Sequence, residues 1–176
     1  MDFGWHGDAD IAAAIDFLTT QPEVDPDRIV VVGLSMGGEE AIGAAASDPL
    51  VRAVVAEGAT GRQAADKAWY SDVYGWRGWV QEQAERLQDT VTDLLTDAST
   101  PTALRSAVAE ASGTRVLLIT AGNVADEARA ADHIRSGAPE RVAVWTVDDA
   151  DHTGGYRTRP EEWTRTVISF LDESLA

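Results

Sequence analysis

The sequence predicts an α/β fold of three layers, with helices on both faces of a parallel sheet of about four strands, and three observations predict it. First, three runs, at 29–32, 51–56 and 115–120, are rich in valine, leucine and isoleucine at adjacent rather than alternate positions, and a fourth strand is read at 142–147. That pattern suits strands covered on both faces. Second, helical patterns fill the intervals, and strand–helix–strand units are parallel and right-handed in nearly all proteins. Third, the first run breaks off in Gly33-Leu-Ser-Met-Gly-Gly38, a glycine-rich turn that leads directly into a helix.

Each element has its own warrant. Residues 7–18 carry Ile11, Ala12, Ile15, Phe17 and Leu18 at amphipathic spacing behind acidic residues in the first turn, so a helix is expected. His6, Asp8 and Asp10 alternate, but alternate residues of a helix diverge, so helix-start chemistry explains them better than a metal site. Pro22, Asp25, Pro26 and Asp27 break this helix ahead of the first strand. After the turn, 39–46 reads as a helix, closed by Asp48-Pro49, and 51–56 as the second strand.

The third strand does not begin until Arg115, and the interval is helical rather than a linker. Helices are expected at 62–69, at 78–95, and from Thr100-Pro101, with proline at a first helical position. Trp69, Tyr70, Tyr74, Trp76 and Trp79 crowd the early part of this insertion. Those rings suit either packing of the insertion onto the body or lining of a pocket. The third strand, 115–120, leads through Gly122-Asn-Val-Ala-Asp-Glu127 into a helix at about 126–136, stopped by Gly137 and Pro139. The fourth, 142–147, leads into Asp148-Asp-Ala-Asp-His-Thr-Gly-Gly155, and a last amphipathic helix begins near Pro160. One domain over residues 1–176 is the expectation, with a helical insertion at about 58–113.

Composition excludes several classes of partner. Thirty acidic residues against 14 basic ones give a net charge of −16, which repels nucleic acid and anionic membrane surfaces. With no cysteine, disulfides and thiolate metal sites are ruled out. The N-terminal stretch has no basic region followed by an apolar run, and nothing approaches the ~20 apolar residues of a membrane helix. As written, the chain is expected to be soluble and cytoplasmic, with no membrane partner.

The glycine-rich turn carries the chemistry. A serine hydroxyl stands clear above a sheet when its residue occupies a turn so tight that the backbone is strained at positive φ, which leaves little room for side chains two residues either way. Ser35 lies between Gly33 and Gly37 in that pattern, a nucleophile elbow. The helix that follows aims its first amides back at the turn, so the Met36 N–H is the candidate oxyanion donor. A serine also needs a base, and of His6, His133 and His152 only His152 lies on a loop directly after a strand.

Val-Val-Gly-Leu-Ser-Met-Gly-Gly resembles the elbow of the α/β-hydrolase superfamily, closest to its serine esterase, dienelactone-hydrolase-like and prolyl-oligopeptidase-related members. Asp151-His-Thr-Gly-Gly155 is similar to that family's histidine loop. The resemblance implies the order nucleophile, acid, histidine, hence Ser35, an acid after the third strand, and His152. Asp126 and Glu127 both occupy that loop, with Asp126 the first candidate because the shorter acid is the commoner partner. The insertion at 58–113 is then a cap over the site.

The resemblance covers only the latter half of the family's fold, so the strand at 29–33 is expected to lie at an open sheet edge, with the second oxyanion donor upstream of Met1. The implied function is a serine hydrolase acting on a small-molecule carboxylic ester or related acyl compound, with no cofactor or metal. A peptidase or acyltransferase of the same fold is the neighbouring alternative. A different class of reading is a catalytically incompetent chain that associates, as a homodimer, through the open edge.

Overall fold

The computed structural model describes residues 5–176; the part of the N-terminal reading that rests on residues 1–4 lies outside it. Four parallel strands, β1 (Ile29–Leu34), β2 (Val51–Glu57), β3 (Arg115–Ala121) and β4 (Val142–Val147), are ordered 1-2-3-4 across one sheet. The register runs straight from Val30↔Ala53 to Leu34↔Glu57, with one irregularity between Ile29 and Val30 that leaves Arg52 unmatched and exposed. Consecutive apolar residues in β2 and β3 are buried because both faces are covered, as the absence of alternation predicts.

One face packs against α1 (Gly7–Thr19), α2 (Met36–Ser47), α5 (Leu104–Glu110) and α6 (Ala125–Arg135). Ile15, Ile42, Leu104, Val108, Ala131 and Ile134 meet Ile29, Val54, Val116 and Leu118 there. After the single turn α7 (Gly155–Thr158), the other face packs against α8 (Pro160–Ser174), where Val167 and Phe170 cover Val55, Leu117 and Ile119. Pro160 opens α8 at a position whose amide has no intrahelical partner, as the sequence predicts.

β1 is an edge of the sheet, as expected, and its Val32 and Leu34 are 49% and 53% exposed. Edges of this kind are normally covered or charged.

The stretch 58–113 departs from expectation in detail. Where a helix is expected at 62–69, the chain forms a single 3₁₀ turn over Ala64–Lys67. The cause is Asp66, whose buried carboxylate accepts the amides of Arg62 at 3.1 Å, Gln63 at 3.3 Å and Leu104 at 2.6 Å, tying the turn to a segment 38 residues away. The last helix of the stretch starts at Leu104 rather than Pro101, whose carbonyl instead accepts from the side-chain amide of Gln63 (Nε2) at 2.9 Å. Two further helices, α3 (Tyr70–Tyr74) and α4 (Trp76–Leu95), pack on each other, joined by the buried Glu82 accepting the Ser71 N–H at 2.7 Å.

Candidate active site

Three side chains meet at the carboxyl edge of the sheet, where open α/β folds place their sites. Ser35 terminates β1 at φ 53° and ψ −125°, a strained conformation for a residue with a Cβ, and its hydroxyl points off the edge. Its amide donates to the Glu57 carbonyl at 2.7 Å, and its carbonyl accepts from Gly38 and Glu39 at the start of α2. The amides of Met36 and Gly37 precede the first bond of that ladder, so they have no intrahelical acceptor at the helix start that follows Ser35.

The glycines differ from expectation in one respect. A Cβ at Gly33 would run into the Gly37 carbonyl, so glycine is required there, whereas one at Gly37 would meet nothing within 4 Å. The second crowded position is Gly38, where a Cβ would lie 3.1 Å from the Ala56 side chain. Close packing of α2 onto β2 thus explains the second glycine of the pair.

His152 Nε2 lies 2.9 Å from Ser35 Oγ, and its Nδ1 lies 2.6 Å from Glu127 Oε1. Asp126, the first candidate for the acid, is not at the histidine. The correction follows from helix phase: α6 turns its buried face, Ala130, Ala131 and Ile134, inward, and Glu127 is the residue of the first turn on that face. Asp126 is rotated about 100° away. There it accepts from Arg129 at 3.0 Å and from the Tyr74 hydroxyl. That bond, made to a carboxylate, raises the Tyr74 phenol above its ordinary value. Glu127 is fully buried, and its second oxygen accepts the Ala121 amide at 2.7 Å, so both oxygens are held.

The loops that carry the acid and the histidine are laced together. Asn123 donates its backbone amide to the Ala150 carbonyl at 3.0 Å and its side-chain amide to the Asp149 carbonyl and Asp151 at 3.2 Å each. Asp149 and Thr153, flanking the histidine, adopt φ of 62° and 53°. Gly58, at φ 72° after β2, is the seat of the imidazole: a Cβ there would lie 2.9 Å from His152 Cε1.

Glu57 also serves the site, with no local sequence pattern to mark it. Buried at the end of β2, its carboxylate accepts the Gly155 amide at 2.7 Å and the Trp163 indole N–H at 2.8 Å, while its carbonyl holds Ser35. Of the other histidines, His6 is exposed. Half-buried His133 on α6 has its imidazole held below its ordinary value by burial and by Arg105. No group of three or more His, Asp or Glu placed to hold a metal occurs among the described residues; Asp8 instead pairs with the buried Arg62 at 2.8 Å.

A sequence profile of the prolyl oligopeptidase family matches residues 3–176. The chain belongs to that family. No curated protein matches it. Among solved structures, a hypothetical protein of Pseudomonas aeruginosa aligns with a TM-score of 0.66 and 22% identity over 95% of this chain and 67% of its own. An alpha/beta hydrolase from Penicillium sp. sh18 aligns at 0.62 and 14% identity over 96% and 71%. An esterase of Pyrococcus furiosus aligns at 0.61 and 20% identity over 96% of this chain and 62% of the esterase. At such identities the likeness concerns the fold, which is that of the α/β hydrolases, and family and fold together place the chain among hydrolases.

Proposed function

We propose that the chain carries a serine hydrolase site acting on carboxylic esters or related acyl compounds, with Ser35 as nucleophile, His152 as general base and Glu127 as the acid that orients it. The observation that supports this most is the continuous chain Ser35 Oγ, His152 Nε2, His152 Nδ1, Glu127 Oε1, with spacings of 2.9 and 2.6 Å. As Ser35 Oγ bonds to the substrate carbonyl carbon, its proton passes to Nε2, and the carbonyl oxygen takes the negative charge against the Met36 N–H. The proton then goes to the leaving group as the C–O bond breaks, leaving an acyl-serine. Water, deprotonated by the same nitrogen, cleaves that ester and restores the serine. Glu127 keeps Nδ1 protonated and balances the imidazolium.

Membership of the prolyl oligopeptidase family favours a second reading within the same chemistry, in which the scissile bond is a peptide. A fluorophosphonate probe followed by peptide mapping tests the shared core of both. Labelling at Ser35, abolished in Ser35→Ala, is expected; labelling that persists in the variant would remove Ser35 from the mechanism. Parallel assays on p-nitrophenyl esters and on peptide anilides then separate the two substrates, with the esters expected to be cleaved faster.

A further inference from the structure

Beside Ser35 lies a cleft of about 190 Å³, bounded by Ser35, Met36 and Glu39 on one side and by Gln63, Lys67 and the α4 residues Glu85, Gln88 and Asp89 on the other. None of the five insertion rings at 69–79 lines it. Trp69, Tyr70 and Tyr74 stack on one another at centroid distances of 4.5–6.5 Å, and Trp76 and Trp79 are exposed. Met36 supplies the one large apolar side chain of the lining.

The polar wall is held in place. Lys67 Nζ pairs with Glu85 at 2.7 Å, Asp89 accepts the Ala64 amide at 2.7 Å, and Glu39 accepts the Thr60 and Gly61 amides at 2.8 and 2.9 Å. Each of these groups keeps hydrogen-bonding capacity beyond the bond named, since an ammonium has three donors and a carboxylate about four lone-pair sites, and Gln88 brings both donors and an acceptor. A hydrocarbon chain in this cleft would strip such groups of water and return no hydrogen bond. Charge narrows the choice further. Glu39, Glu85 and Asp89 line the cleft against Lys67 and Arg62, and Arg62 is engaged by Asp8, so an anionic substrate is repelled.

We infer that this cleft is a substrate subsite for a short polar group that carries no negative charge, one rich in amide or hydroxyl function, on the acyl compound attacked by Ser35. The inference rests on the serine hydrolase reading. Its test uses the whole chain and three acyl chains of similar length, as the p-nitrophenyl esters of N-acetyl-β-alanine, hexanoic acid and glutaric acid, each rate corrected for spontaneous hydrolysis. The N-acetyl-β-alanyl ester is expected to exceed the other two in kcat/KM by about tenfold or more. In Gln88→Leu, and separately in Lys67→Met/Glu85→Met, its advantage over the hexanoate is expected to shrink to about twofold or less. Gln88 is exposed, so the first variant keeps the test sound if the paired substitution disturbs folding. Fluorophosphonate labelling of Ser35 together with equal or better turnover of the hexanoate, or with no turnover of the polar ester, would overturn the subsite alone. Absence of both labelling and hydrolysis would overturn the serine hydrolase reading and this inference with it.

Discussion

The two sides of the carboxyl edge are held by different means. On the β3–β4 side, the acid and the histidine sit among side-chain anchors: Glu127 spends both oxygens, Asn123 ties the two loops together, and Gly155 is held by a carboxylate from the neighbouring strand. On the β1 side, the nucleophile is held by backbone geometry: a strained φ, a glycine that lets the turn close, and one amide bond to Glu57. Glu57 joins the two, by its carbonyl to Ser35 and by its carboxylate to the histidine loop. The difference teaches that the position of the base depends on a few buried charges, whereas that of the serine depends on local chain sterics, and substitutions separate the two.

The largest expected effect is at Glu127. In Glu127→Gln a single oxygen must serve either the Ala121 amide or the imidazole, and the NH₂ then opposes a donor or holds His152 in the wrong tautomer. Turnover should fall by about 10³–10⁴-fold with fluorophosphonate labelling slowed in parallel, as measured by burst and steady-state kinetics. A loss under about tenfold would take the acid's role from Glu127.

Next comes Glu57→Gln, which tests the link between the two sides. Gly155 and Trp163 both donate to the carboxylate, so the amide must turn a donor against one of them, a cost of about 1–3 kcal/mol in urea unfolding. Because the same bonds hold the histidine loop, turnover should drop roughly tenfold as well. Full activity in a destabilised variant would show that Glu57 supports the fold without positioning His152.

These two acids also show how far the sequence could be read. The elbow was legible because all of its causes are local: a β-branched run, a glycine whose Cβ would strike the turn, and a helix start. Even there the second glycine needed for packing is Gly38, which depends on a neighbouring strand. The acid was half legible. Glu127, Ala130, Ala131 and Ile134 follow the i, i+3, i+4, i+7 pattern of a buried face, and that phase identifies the inward acid, whereas side-chain length does not. Glu57 and Asp66 were not legible, because each serves amides far along the chain, at Gly155 and at Leu104, and no local pattern announces such a partner.

An effect on stability alone, with no loss of turnover, is expected at Asp66. Burial outweighs its three amide bonds and raises its carboxyl from 3.8 to about 6. The folded chain therefore binds a proton more readily than the unfolded one between those values. The contribution of Asp66 to stability is fully present below pH 3.8 and is lost as pH rises through about 6, by roughly 3 kcal/mol at most. Asp66→Asn removes this titration. The difference in unfolding free energy between the native chain and the variant should shrink as pH rises from 4 to 7. A difference that stays constant across that range would show that Asp66 keeps an ordinary carboxyl.

The smallest effect is expected one residue from the largest, at Asp126→Asn. Asp126 shares the first turn of α6 with Glu127, yet its carboxylate faces Tyr74 and Arg129 at the surface, where solvent screens such pairs. Turnover should change less than about threefold, because the partners Tyr74 and Arg129 bond to each other and to Asp126 rather than to His152. The substitution should register elsewhere. The carboxylate accepts the Tyr74 hydroxyl and repels the phenolate, so replacing it by a neutral amide should lower the pH at which that phenol ionises. The chain has three tyrosines, so ultraviolet titration can follow one of them moving to lower pH. An unmoved tyrosine titration would mean that the bond to Asp126 does not persist in solution, and a turnover loss as large as that of Glu127→Gln would mean that α6 is rotated by one residue and that the nearer acid is the functional one.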